Sequence, residues 1–257
     1  MTYGIIGVGA IASAIVTGLC REGDAPSIVL SPRNARVAAG LAARFPTVSV
    51  APDNQSVIDA ATVAILAVRP QDAPEVLSTL RFRADQTVLS VIAAMSVATL
   101  ASLVAPATDI VRSIPLPTVA DRQGTTPIHP PHDGARSLFD RLGCTIEVAD
   151  EAAFDALSAA SSTVAAHFAY LQAVSGWLAD HGLPEDQARR YVASIFAGLS
   201  EALKGDTPDF AALAGDHATP GGLNEQFRAF LQDAGLFDHV DAGLDRILER
   251  VSGGSKA

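Results

Sequence analysis

Lysine is almost missing from this chain, which carries only Lys204 and Lys256. Amine chemistry is therefore limited to an expected helix end and a tail position, and neither suits a proton donor. Cysteine is equally scarce. Cys20 and Cys144 lie in different elements, with no metal-type spacing and no disulfide framework. A reducing, cytoplasmic compartment follows as the expectation. Aromatic residues make up 5%, so helices are expected to pack on small side chains. Positive charge is also short. With 18 Lys and Arg against 28 Asp and Glu, the formal charge is −10, which argues against nucleic-acid and anionic-membrane partners. No apolar run reaches the length of a membrane span. The run Ile11 to Cys20 has no preceding Lys or Arg and is approached through Gly7 and Gly9, unlike a signal peptide.

What is present is a chain of 257 residues, 49% hydrophobic, enough for one large domain or two small ones. Its first part alternates short apolar runs with amphipathic stretches. Strands are expected at Tyr3 to Gly7, Ser27 to Leu30, Val48 to Val50, Thr62 to Val68, Thr87 to Ile92 and Ile110 to Ser113, with helices between them. This predicts an α/β domain of Rossmann type, a doubly wound parallel sheet with apolar strands buried on both faces. A loop rich in Pro, Thr and His, Pro115 to Asp133, and one more helix–strand step complete it.

After Ala149 the strand pattern stops. Asp150 caps a long helix carrying Phe154, Leu157, Val164, Phe168, Leu171, Val174 and Leu178 on one face and stopped by Gly182. Pro184 opens a second helix that ends near Gly205. Shorter helices follow at Phe210 to Leu213, after Pro220, and from Val240 to Val251, before a disordered tail. The expected domains are 1–149, binding a dinucleotide, and 150–257, all helical.

Gly7-Val8-Gly9-Ala10-Ile11-Ala12 is a G-x-G-x-x-A fingerprint between a strand and a helix. The first glycine permits the turn, the second lets the backbone approach a pyrophosphate, and Ala12 allows close packing. The helix start then offers free amides to the phosphates. The second strand ends in Ser31-Pro32-Arg33-Asn34. A carboxylate for the ribose hydroxyls of NAD is missing, while a hydroxyl, a guanidinium and an amide suit the 2′-phosphate of NADP(H).

With these residues in hand, the chain resembles the pyrroline-5-carboxylate reductase family over nearly its whole length. Beyond the fingerprint and Ser31, Arg33 and Asn34, the resemblance rests on Val68-Arg69-Pro70-Gln71-Asp72, the small-residue turn Ser90 to Ser96, Gly182-Leu183-Pro184 and Thr219-Pro220-Gly221-Gly222. It implies cofactor contacts from Gly7 to Ala12, Ser31, Arg33, Asn34, Ala67, Val68, Arg69, Pro70 and Ala93. It also implies a substrate site at Thr219, Gly221, Gly222, Leu223 and Asn224. Interlocked helical domains, as a homodimer or larger homo-oligomer, are a further implication. The chain departs from the family pattern at Ile114-Pro115-Leu116, at Ser162 to Ala166, and at Leu223 and Asn224, which stand where the family has two threonines.

The chemistry expected is hydride transfer from NADPH to a small cyclic imine carrying a carboxylate. An imine can take its proton from water, so this site needs no strong acid. Thr219, Asn224 and Ser162 are the expected catalytic polar groups, with helix packing as the alternative for Ser162 and Thr163. The carboxylate is expected at a helix start made by Thr219 as N-cap and Pro220 as first helical residue. His167 and Tyr170 share a helix face and read as a packing pair. His129-Pro130-Pro131-His132 has no acidic or thiol partner and reads as a solvated loop, with no metal site expected. The alternative function is a non-catalytic NADPH-binding protein.

Overall fold

The computed structural model describes residues 1–21, 23–203 and 209–253. Lys204, Lys256, the helix end expected near Gly205 and most of the tail lie outside the described residues. By its internal packing the chain forms two units. One runs from Met1 to Ser158 and includes the chain from Leu248; the other is Ala159–Ile247.

The first unit is built on β1 (Thr2–Ile6), α1 (Ala10–Leu19), β2 (Ser27–Leu30), α2 (Ala35–Arg44), β3 (Val48–Val50), α3 (Asn54–Ala60) and β4 (Val63–Leu66). It continues through α4 (Ala73–Leu77), β5 (Thr87–Ser90), α5 (Val97–Val104), β6 (Asp109–Ser113), β7 (Thr125–His129), α6 (Asp133–Asp140) and β8 (Cys144–Glu147). The eight strands form one sheet in the order β3-β2-β1-β4-β5-β6-β7-β8. The alternation along β1 sends Ile5 to one face and Ile6 to the other. Ile5 packs with Ile15 and Leu19 of α1, Leu41 of α2 and Phe139 of α6. Ile6 packs with Val57 and Ile58 of α3, Leu77 of α4 and Leu100 of α5. Two cores thus sandwich the sheet, each fully buried aliphatic contributing about 1.5–3 kcal/mol.

Strands β1 to β6 are mutually parallel. Chain order reverses direction between β1 and β4, and the helices that follow them diverge there. A crevice opens at the carboxyl ends of the two strands, where open α/β sheets bind ligands.

Two expectations are corrected here. The stretch 115–133 is not a loop throughout: a 3-10 turn at Pro117–Asp121 precedes β7. Pro127 disguises this strand in the sequence, but β7 pairs antiparallel with β6 only at Arg112–His129 and Ser113–Ile128. The missing proline N–H therefore costs no bond on that side. His129 and His132 are likewise not solvated loop residues. His129 is buried, with Nδ1 2.8 Å from the Val148 carbonyl, and His132 Nδ1 accepts the Ala135 N–H to cap α6.

The second half holds α7 (Glu151–Ser161), α8 (Thr163–Asp180), α9 (Glu185–Leu199), α10 (Phe210–Asp216), α11 (Leu223–Asp233) and α12 (Leu236–Gly253). Asp150 starts α7, its Oδ1 accepting the Ala152 N–H. The long helix expected from Asp150 to Gly182 is interrupted at Ser162. The hydroxyls of Ser162 and Thr163 donate to the carbonyls of Ala159 and Ala160, local bonds that compete with a continuous ladder. Two further starts differ. Helix α12 begins four residues before Val240, and α11 begins at Leu223 with Gly222 as N-cap. Thr219 is therefore not a helix cap. Its carbonyl accepts the Gly222 N–H at 2.8 Å, closing a Pro-Gly turn with Gly221 at φ +72°.

Within the helical unit, α8 and α9 pack around Phe196, whose ring meets His167 and Tyr170 edge-on at 5.7 and 5.9 Å. Yet Phe168, Trp177, Phe210, Phe230 and Leu223 are 59–85% exposed. Apolar exposure on this scale is what surfaces used for contact display.

Candidate functional site

The crevice at β1 and β4 holds a groove of about 360 Å³ lined by Gly7, Val8, Gly9, Arg33, Asn34, Ala67, Val68, Arg69 and Asp72. Eight of these nine residues were expected at a cofactor site; Asp72 is the addition. Gly7 is required on two counts. Its φ is +93°, and a Cβ there would lie 2.7 Å from the Ala67 carbonyl oxygen. Gly9 is different, because a Cβ there meets nothing within 4 Å. The space over Gly9 is left open for a ligand. Behind it α1 starts with no side-chain cap and no acidic residue in its first turn, and the first amide used within the helix is that of Ser13. The amides of Ala10, Ile11 and Ala12 are thus available to an anion.

The loop after β2 is pinned to this turn. Ser31 is buried and its Oγ accepts the Gly7 N–H at 2.9 Å. The Asn34 side chain donates to the Val8 carbonyl at 3.0 Å. These two expected cofactor residues therefore shape the glycine turn. Arg33 stays exposed at the rim, with Nη1 3.5 Å from Asp72. Arg69 forks onto the same carboxylate through Nε and Nη2 at 2.9 and 3.1 Å. Two guanidiniums share one carboxylate, so the rim keeps a net positive charge, matched to a phosphate. Pro70, the remaining expected contact of this loop, opens the 3-10 turn that carries Asp72. A dinucleotide with an added phosphate fits this donor set: amides for the pyrophosphate, an open cradle at Gly9, guanidiniums at the rim.

One strand further along, β5 leads into the turn Ser90–Ser96, where Ala93 is exposed. Ala94 has φ +55°, a left-handed conformation that costs a non-glycine residue on the order of 1–3 kcal/mol and persists only when its surroundings impose it. Composition gives no hint of this strain. Nor does it show what lies behind the turn. Glu151 Oε1 accepts both the Val97 N–H at 2.9 Å and an Arg112 N–H at 2.7 Å. Burial pushes the Glu151 pKa up, but the Val97 amide, the Arg112 hydrogen bond and charge, and the charge of His129 together bring it below the ordinary glutamate value.

In the helical unit the expected substrate groups are only partly gathered. Thr219, Gly221, Gly222, Leu223 and Asn224 share the turn that opens α11. Asn224 Nδ2 donates to the His217 carbonyl at 2.9 Å, and Leu223 is 85% exposed. The Gly221 amide is already taken, since Glu225 Oε2 accepts it at 2.7 Å. The amides left for a ligand are those of Leu223, Asn224 and Glu225, the first internal bond being Gln226 N–H to Gly222. The capping-box spacing from Gly222 to Glu225 would put this carboxylate on the Gly222 N–H. That amide is held by the Thr219 carbonyl instead, and Glu225 reaches one residue further back, to Gly221. An apolar cavity of about 540 Å³ in the same unit is lined by His167, His217 and Asn224 among others, but not by Ser162 or Thr219.

Sheet, groove and helical half define a class: NAD(P)-linked oxidoreductases built from a dinucleotide-binding sheet and a helical domain. Residues 2–94 match the family described as NADP oxidoreductase coenzyme F420-dependent, and residues 151–253 match pyrroline-5-carboxylate reductase dimerisation. The chain is 31% identical over 248 residues to pyrroline-5-carboxylate reductase of Synechocystis, covering 91% of this chain and 90% of that one. It belongs to the pyrroline-5-carboxylate reductase family. Its fold overlays the crystal structure of the Streptococcus pyogenes reductase with a TM-score of 0.83 at 25% identity, covering 98% of each chain. It overlays the NADP-bound Plasmodium falciparum pyrroline carboxylate reductase at 0.82 and 17% identity, covering 99% of this chain and 98% of that one, a likeness of fold alone. No helix among the described residues is long and apolar enough to cross a membrane.

Proposed function

We propose that this chain uses NADPH to reduce the C=N bond of a cyclic imine carboxylate of the pyrroline-5-carboxylate type. The observation that carries the reading is the groove at the β1–β4 crevice, with the open cradle at Gly9 and two guanidiniums at its rim, in a chain similar to these reductases over nearly its full length. The cofactor supplies the hydride, and a proton from solvent completes the amine. Within this reading the functional domains are 1–149 and 150–257, and Val8, Ala67, Val68 and Ala93 meet the cofactor through backbone or small side chains. Thr219, Asn224 and Ser162 are the polar groups assigned to the catalytic site. The substrate carboxylate is received by the amides at the start of α11. The partners are this small molecule and a second copy of the chain, with neither nucleic acid nor membrane, in a reducing compartment that suits the free Cys20 and Cys144.

The test is NADPH oxidation with a panel of cyclic imines, with and without a carboxylate. Turnover of the carboxylated imines supports the reading. NADPH binding with no turnover of any imine would favour a non-catalytic binder instead.

Arg33 carries the preference for NADPH. We expect Arg33→Ala to weaken NADPH binding by about 1.5–3 kcal/mol, the scale of a hydrogen bond to a charged group, and to leave NADH nearly unchanged. Fluorescence titration with both cofactors measures this; equal affinity of the parent for the two would refute it.

Apolar exposure on the helical unit predicts an obligate homodimer or larger homo-oligomer through that half. Sedimentation at micromolar concentration should show no stable folded monomer. A monomer with the parent's circular dichroism would refute this.

A further inference from the structure

We propose that Glu151 is a positioning residue for hydride transfer: by joining buried Arg112 to the Val97 amide, it fixes the turn Ser90–Ser96 beside the cofactor groove. This rests on the proposed function, in which Ala93 of that turn meets NADPH.

The network lies wholly in the first unit. Arg112 projects from β6 with its side chain 4% exposed. One Nη reaches Glu151 and the other Asp155, at 2.7 and 2.8 Å, and the guanidinium carbon sits 4.6 Å from the centre of the Phe154 ring. Its Nε has no hydrogen-bond partner. His129 faces Arg112 across the strand pair, and its ring lies 5.9 Å from that of Phe154 at a tilt of 42°. Buried ion clusters of this kind add little stability over apolar packing of the same shape. What charge provides here is direction, because a carboxylate held by a guanidinium presents its oxygen to one amide at one place.

That amide belongs to the first residue of α5, where no intrahelical acceptor exists. Ser96, the N-cap, spends its Oγ on the Thr99 N–H, which leaves the Val97 N–H to Glu151. The turn before it contains left-handed Ala94 and must be held from both ends. At its start, Ser90 Oγ accepts the Ile92 N–H at 3.2 Å and Ser113 Oγ donates to the Ser90 carbonyl at 3.3 Å. Ser113 and Arg112 are neighbours on β6. One strand thus anchors both ends of the turn, directly through Ser113 and through Glu151 from Arg112.

Val97→Pro isolates this tether. Proline suits the first helical position, and Ser96, at φ −69° and ψ 160°, already has the extended backbone that precedes proline. The variant deletes the one N–H and leaves Arg112, Glu151 and Asp155 in place. In the full-length protein without ligand, amide hydrogen exchange across residues 91–96 should rise at least fivefold, with exchange in α6 unchanged. With substrate and NADPH, kcat should fall at least tenfold, and the primary isotope effect with deuterated NADPH should grow. The Kd for NADPH should stay within twofold. Glu151→Ala should reproduce this, and Glu151→Gln, which keeps an acceptor oxygen, should restore most of kcat. Parent-like exchange in Val97→Pro overturns the proposal. So does a fall in kcat matched by an equal loss of NADPH affinity. If the parent reduces no imine, the functional reading fails, and the exchange result alone decides whether Glu151 holds the turn.

Discussion

Gly9→Leu should abolish NADPH binding while leaving the fold intact. A Cβ at Gly9 meets no atom within 4 Å, and the backbone there, at φ −99°, accepts any residue. The cost of the substitution therefore falls on a ligand and not on the protein. An isobutyl group would fill the space through which a pyrophosphate reaches the amides of Ala10 and Ile11. Losing two hydrogen bonds to a charged group removes roughly 3–6 kcal/mol, more than about a hundredfold in affinity. Fluorescence titration should show no saturable NADPH binding, with melting temperature and circular dichroism near those of the parent. Gly7→Ala should behave in the opposite way. With φ at +93° and the Ala67 carbonyl 2.7 Å from the added carbon, it should destabilise the first unit itself. A Gly9→Leu protein that binds NADPH within threefold of the parent would place the cofactor elsewhere.

The contrast between the two glycines marks how far sequence reading goes. The fingerprint, its strand and its helix were legible because each rests on local chemistry: a short apolar run, a turn that tolerates glycine, a helix of small residues. The rim was legible as a missing carboxylate after β2. Its partner Arg69 was readable only by resemblance, because it lies 36 positions from Arg33 and the sheet alone brings β2 and β4 to either side of β1. Ser31 was assigned to a phosphate on its hydroxyl. Burial also makes that oxygen the acceptor of the Gly7 amide, and burial is not visible in a four-residue loop. The same limit hid β7, where Pro127 outweighed a run of Thr and Ile, and the break at Ser162, where an apolar face of regular period continued past hydroxyls that bond back to their own helix. The Arg112–Glu151–Val97 link joins three elements and has no local signature at all.

Glu225→Gln tests the start of α11 as the receptor of the substrate carboxylate. If a substrate carboxylate is received there, it meets the Glu225 carboxylate, which holds the Gly221 amide at 2.7 Å. Two carboxylates about 4 Å apart repel by about 1 kcal/mol even at the dielectric of water, and by more where water is partly excluded. Glutamine keeps an oxygen for the Gly221 N–H, so the turn survives while the charge is lost. Gly222→Val is the less clean alternative, since a Cβ there would lie 2.8 Å from the Thr219 carbonyl and disturb the turn itself. The KM for a carboxylated imine should therefore fall at least about fivefold in Glu225→Gln, the equivalent of about 1 kcal/mol. Inhibition by proline-like acids should tighten by a similar factor. An imine without a carboxylate should be unaffected, as should the Kd for NADPH. Should the carboxylated and uncharged imines respond alike, the carboxylate is bound by other groups, and Thr219, Gly221, Gly222, Leu223 and Asn224 lose their place in the substrate site.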